Sequence, residues 1–282
     1  QRKVYFLVGE GERSPEQFSE TGYSQAKSGL ARLNYTVESL SLLISPTVPS
    51  DASVLVIAAP SQPLSQPQVD ALDAYLKSGG GLLVLADPIA TDATRPFVFD
   101  PATDPLFTYL GATWGITLQK DLVLDSQFLD NPNWSPSWPV VQPDQQIGNY
   151  SGPIADKLVG LATFYPTASS LTTAPAGEVT PERVVETSPA PGVWGETDLA
   201  GLGQQGYLPT YDAAADHGGP VALAATAENL TSKGRVFVAG DVDFASNTFL
   251  QQYGNSDLFY SAVNWASGQT ELLNLPPKSQ TT

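Results

Sequence analysis

Five short runs are apolar at consecutive positions: Val4-Tyr5-Phe6-Leu7-Val8, Val54-Leu55-Val56-Ile57-Ala58-Ala59, Leu82-Leu83-Val84-Leu85-Ala86, Val221-Ala222-Leu223-Ala224-Ala225 and Val236-Phe237-Val238-Ala239. A strand with no polar alternation has no solvent face, and strands of that kind occur where both sides of a sheet are covered. The segments between several of them have helical period. Ala26, Leu30 and Leu33 place a helix over residues 23–34, which leads into a strand over residues 35–42. Ser65 and Gln68 make a capping box ahead of Val69, Leu72, Tyr75 and Leu76, and Gly79-Gly80-Gly81 ends that helix. Asn255 or Ser256 is placed to cap a last helix whose Leu258, Phe259, Ala262, Val263 and Ala266 form one stripe, stopped by Gly268. The alternation predicts an α/β fold: a doubly wound, mostly parallel sheet from the strands near Val4, Tyr35, Val54, Leu82, Val221 and Val236. Helices should lie on both faces, with right-handed crossovers.

Residues 125–217 read differently. They are rich in Pro, Gly, Ser and Thr, contain the tract Asn133-Trp134-Ser135-Pro136-Ser137-Trp138-Pro139, and show only short alternating pieces such as residues 180–187. This is expected to be a loop- and β-rich elaboration of a single α/β domain spanning residues 1–270. Residues 271–282, with Pro276-Pro277-Lys278, read as a C-terminal linker.

Composition narrows the function. Thirteen Lys and Arg against 29 Asp and Glu give a net charge of −16, which repels phosphate backbones and anionic lipid, so nucleic acid is not an expected partner. With no cysteine there is no thiolate nucleophile, Cys-ligated zinc, iron–sulfur cluster or disulfide. The absence of methionine and the opening Gln1-Arg2-Lys3 directly before a strand read as a piece of a longer protein. No stretch approaches the roughly 18 apolar residues of a membrane span, so any anchor is expected outside this chain.

Val48-Pro49, Asp51-Ala52-Ser53-Val54-Leu55-Val56-Ile57, Leu64-Ser65 before a helix and Tyr75-Leu76 with Gly79-Gly80-Gly81 form an ordered set with Asp87-Pro88, Gly234-Arg235-Val236, Gly240-Asp241-Val242-Asp243-Phe244, Ser246-Asn247 and Asn264-Trp265. Together they resemble the extracytoplasmic domain of auxiliary components of ABC-type transport systems, the family that includes the gliding-motility auxiliary proteins. The resemblance spans most of the chain and is weakest over residues 125–217. It implies a sheet similar to flavodoxin and to class I glutamine amidotransferases, flanking membrane helices, and a domain outside the cytoplasm. The family commonly carries Gly-His-Gly-Glu after the first strand, where this chain has Gly9-Glu10-Gly11-Glu12. Amidotransferase chemistry is excluded separately, since its cysteine is missing.

Three candidate sites follow. Asp241 and Asp243 stand where the C-terminal ends of parallel strands gather, the ligand-binding edge of α/β sheets. With Glu10, Glu12 and Asp87 they make an acidic edge with the donors that Ca²⁺ or Mg²⁺ prefer. The same residues serve as a solvated rim, and Asp-x-Asp as a turn accepting backbone N–H groups, which is the expected role of Asp241 and Asp243. His217 is the one imidazole; it cannot build a His-rich zinc site, and no G-x-S-x-G elbow accompanies it for a Ser-His-Asp triad. Trp134 and Trp138 suit either an exposed partner surface or a plug beneath a long loop. The expected function is therefore a non-enzymatic adaptor, without cofactor, that binds a transport system's permease or an envelope protein and is tethered through segments outside the chain. The alternative is a hydrolase or small-ligand or metal-binding domain at the acidic edge.

Overall fold

The computed structural model describes residues 2–87, 100–129, 135–202 and 208–268. Gln1, Trp134, Pro88 and the linker at 271–282 fall outside the described residues. The first half alternates strand and helix as the apolar runs require: β1 (Arg2–Leu7), α1 (Ser24–Arg32), β2 (Tyr35–Leu40), β3 (Ala52–Ala58), α2 (Gln66–Lys77) and β4 (Gly81–Leu85). The capping box forms at Ser65 and Gln68 as the spacing predicts. There follow α3 (Pro105–Tyr109), β5 (Ile116–Leu118), β6 (Leu122–Asp125), β7 (Val140–Val141), β8 (Asn149–Tyr150), β9 (Thr163–Phe164), β10 (Leu171–Thr173), β11 (Glu182–Glu186), β12 (Val193–Glu196), α4 (Leu199–Leu202) and β13 (His217–Gly218). β14 (Ala222–Glu228), β15 (Arg235–Ala239) and α5 (Asn255–Ala266) close the described chain.

The main sheet has ten strands, in the order β2-β1-β3-β4-β15-β14-β10-β5 with β11 and β8 added beside β14. From β2 to β15 every pairing is parallel; β14, β10, β5, β11 and β8 are antiparallel to their neighbours. The sheet is thus mixed, which corrects the doubly wound sheet expected with a flavodoxin- or amidotransferase-like order. The strand at Val221 is the cause. Only residues 229–234 separate β14 from β15; that connection makes a hairpin, whereas a parallel return needs a crossover of about a dozen residues or more.

Side chains of β1, β3, β4 and β15 alternate between two cores. Val4, Phe6, Val54, Val56 and Phe237 pack with Leu30 of α1 and Leu258 of α5 on one face. Tyr5, Leu55, Ile57 and Val84 pack with Leu72 of α2 and Leu106 of α3 on the other. Full burial of one such ring or aliphatic chain contributes about 1.5–3 kcal/mol, so the two-faced burial of the strands dominates the stability of this half. α5 differs from expectation at its start: Gly254 is the N-cap, and the buried Asn255 side chain instead donates to the carbonyls of Phe164 and Phe244.

The described residues between 125 and 217 form short strands with little helix. β8, β10 and β11 join the main sheet, while β13-β12-β6 make a three-stranded satellite over Leu122, Leu124 and Trp194.

Candidate functional site

The C-terminal ends of the parallel strands gather the loops after β1, β3, β4 and β15, and with them all five expected carboxylates. The structure divides these into two groups. Glu10 and Glu12 are folded into the first loop: Glu12 Oε2 accepts from the Glu10 N–H at 2.8 Å, and Glu10 Oε1 accepts from Gln68 Nε2 at 3.0 Å. Gly11 has φ +79°, and a Cβ there would stand 1.8 Å from Ser61 Oγ, so only glycine lets the loop close on Ser61. Glu12 is buried, and burial raises its carboxyl above the ordinary value.

Asp87, Asp241 and Asp243 lie around Arg13, which the sequence reading did not single out. The buried Arg13 guanidinium donates to and pairs with Asp243 Oδ1. Asp241 is 1% exposed. Its Oδ1 accepts from the Phe244 N–H at 2.6 Å, starting the 3₁₀ turn Asp243–Ala245, while its Oδ2 is buried without a hydrogen-bond partner. Burial first, then the charges of Asp243 and Asp87, push the Asp241 carboxyl well above the ordinary range. Asp241 thus accepts the backbone N–H that opens this turn, and Asp243 is paired with Arg13. Among the described residues no group of three or more His, Asp or Glu side chains is arranged to hold a metal ion.

His217 has a partner that no local motif announces. Its Nδ1 lies 2.7 Å from Oδ2 of Asp121, 96 positions away. Asp121 is 0% exposed and also accepts from the Ser170 N–H at 2.7 Å and Ser170 Oγ at 2.5 Å. Gly195 is the cradle: a Cβ there would stand 1.9 Å from Asp121 Oδ2. The hydrogen bond to Asp121 raises the His217 pKa, opposed by partial burial. The cluster runs Ser-Asp-His, with the carboxylate central, so the serine hydroxyl bonds the acid and not the base; this is not the geometry of an activated serine. It ties the satellite sheet to the main one, since His217 belongs to β13 and Ser170 directly precedes β10.

Trp138 is half-buried. Its ring packs edge-on against Phe164 at 6.3 Å and Phe249 at 6.1 Å, and Phe164 in turn contacts Tyr253 at 5.8 Å. Tyr253 is 57% exposed. Tryptophan here is neither wholly core nor wholly surface: one side closes the Phe164 core and the cluster reaches solvent through Tyr253.

The arrangement defines a mixed α/β domain whose carboxylates largely answer other parts of the same chain. The fold is similar to that of the mmIFT52 N-terminal domain, at a TM-score of 0.65 and 16% identity over 94% of this chain and 97% of that one. It is also similar to a ThuA-like protein from Parabacteroides merdae, at a TM-score of 0.50 and 12% identity over 98% and 93%. At such identities these are likenesses of fold alone. No curated protein matches the chain. Residues 1–262 match the family described as ABC-type uncharacterized transport system, and the chain belongs to that family. No helix among the described residues is long and apolar enough to cross a membrane.

Proposed function

We propose that this chain is a non-enzymatic auxiliary domain of an ABC-type transport system. It acts as an adaptor toward the permease or an envelope protein, outside the cytoplasm and tethered by segments beyond these residues. The match to a transport-system family over residues 1–262 carries the reading. Two features support it. The acidic edge is occupied by its own Arg13–Asp243 pair, and the hydroxyl of the His217 cluster faces the acid. A surface suited to protein contact is available at Trp138 and Tyr253, where aromatic side chains supply large, rigid contact area.

The test is binding of the purified chain to the permease of its own system in lipid nanodiscs. Saturable binding that weakens roughly tenfold in a Trp138→Ala, Tyr253→Ala double variant with a near-parent melting curve is the expected result; no binding by the parent chain overturns the reading. A second reading, a small-ligand, cation or hydrolase site at the acidic edge, has one observation in its favour: Asp241 Oδ2 and Glu12 Oε1 are buried without hydrogen-bond partners. It requires that millimolar Ca²⁺ or Mg²⁺, or a substrate, raise the melting temperature.

A further inference from the structure

Phe18 is 86% exposed at the tip of the loop between β1 and α1. A side chain so exposed contributes little to folding, yet the backbone on both sides of it is hydrogen-bonded. Asn247 Nδ2 donates to the carbonyls on either side of it, Ser19 at 2.7 Å and Gln17 at 3.1 Å. The Asn247 N–H donates to Gly22 O at 2.8 Å, and both the N–H and hydroxyl of Thr248 donate to Glu20 O at 3.1 Å. Within the loop, the Gln17 and Tyr23 N–H groups both donate to Ser14 O. A Cβ on Gly22 would lie 2.1 Å from Gln17 O, so the loop is packed onto itself. The segment that braces it also bears Phe249 and Tyr253, the rings that join Trp138 at the aromatic surface.

We infer that Phe18 is a pre-organised anchor of the adaptor's interface, entering an apolar cleft rimmed by lysine or arginine on a protein partner; this rests on the adaptor reading. An aromatic side chain on a fixed loop binds without the entropy loss of ordering that loop, which is how a single exposed ring becomes a hot spot. The rim sets the partner's charge. Exposed Glu16 and Glu20 stand two positions before and after Phe18 in the chain, Glu16 paired with Lys27 at 2.5 Å, and the chain carries a net charge of −16. Acidic flanks favour a basic cleft and oppose an anionic lipid surface.

The test titrates the 282-residue chain against the permease of its own system in nanodiscs, with permease-free discs of the same anionic lipid as control. Phe18→Ala is expected to weaken binding roughly tenfold or more, and Phe18→Leu by only about threefold, since most apolar area is kept. Neither should move the melting temperature. If Phe18→Ala does lower it, Phe18→Ser and Asn247→Ala carry the test, the latter by loosening the loop with the ring intact. A joint Glu16→Gln, Glu20→Gln change should flatten the salt dependence. Parent-like binding by Phe18→Ala or Phe18→Ser overturns the anchor and leaves the adaptor reading standing. Failure of the parent to bind overturns both. Equal binding to permease-free discs assigns Phe18 to lipid and overturns the protein cleft.

Discussion

Asp241, just past β15, and Asp121, just before β6, are two of the buried carboxylates of this molecule. Asp121 has donors at both oxygens: the Ser170 N–H and hydroxyl and the His217 ring. Asp241 has one donor, the Phe244 N–H, and a second oxygen with none. Asp121 is surrounded by hydrogen-bond partners and joins three chain segments through them. Asp241 stands beside two further carboxylates, and its burial and their charges favour the protonated form. Buried acids in one fold can therefore be opposites: one a fastening with partners at both oxygens, the other a turn former with a single donor.

The contrast breaks most visibly at Asp121. Replacing it with Ala orphans the Ser170 N–H and hydroxyl in the interior, and the denaturation midpoint should report a loss of about 3 kcal/mol or more. A loss under about 1 kcal/mol would show that the satellite sheet holds without it.

Asp241→Asn should act the other way. The amide still accepts from Phe244 and carries no charge to desolvate, so stability at neutral pH should rise on the order of 1 kcal/mol. The sign follows from the raised carboxyl: the unfolded chain ionises first, and the parent loses stability as pH climbs from the unfolded to the folded value. The advantage of the variant should therefore grow over that interval and vanish in acid. Its melting temperature, like the parent's, should be indifferent to millimolar Ca²⁺ or Mg²⁺; a rise in the parent that the variant loses would turn the edge into a cation site.

His217→Gln is a smaller effect, a loss present in acid that fades as pH rises. Because the fold raises the His217 pKa, its contribution is full below the unfolded imidazole value of about 6.5 and is lost as pH rises through the folded value. The ring is 38% exposed, so screening should keep the effect under about 1 kcal/mol. The chain has one histidine, and its single imidazole resonance reports the titration directly; a pKa at or below the unfolded value would remove Asp121 as its partner. The smallest change is expected at Tyr253→Ser, within about 0.5 kcal/mol, because the ring that reaches solvent supports little of the core. A larger loss would move the aromatic cluster from surface to structure.

Much of the fold is legible in the sequence because strands and helices declare themselves through near neighbours. Continuous apolar runs gave the positions of β1, β3, β4, β14 and β15, and Ser65 with Gln68 marked the start of α2. The short connection at 229–234 also signals the hairpin that makes the sheet mixed, although the repeated strand–helix alternation points toward a parallel one. The acidic edge follows from the same reasoning, since residues after parallel strands end on one side. Its partner does not: Arg13 and Asp243 are 230 positions apart, and neither carries a pattern that names the other.

Local periodicity determined which residues form strands, which faces are buried and that Glu10, Glu12, Asp87, Asp241 and Asp243 share an edge, because burial of alternate side chains is decided within a few positions. Only the tertiary structure decided what each of those acids meets: Arg13 against Asp243, Asp121 against His217, and Asn247 beneath Phe18. Hydrogen bonds and ion pairs depend on distances of about 3 Å, and the chain sets such distances between remote residues only after every intervening element has packed.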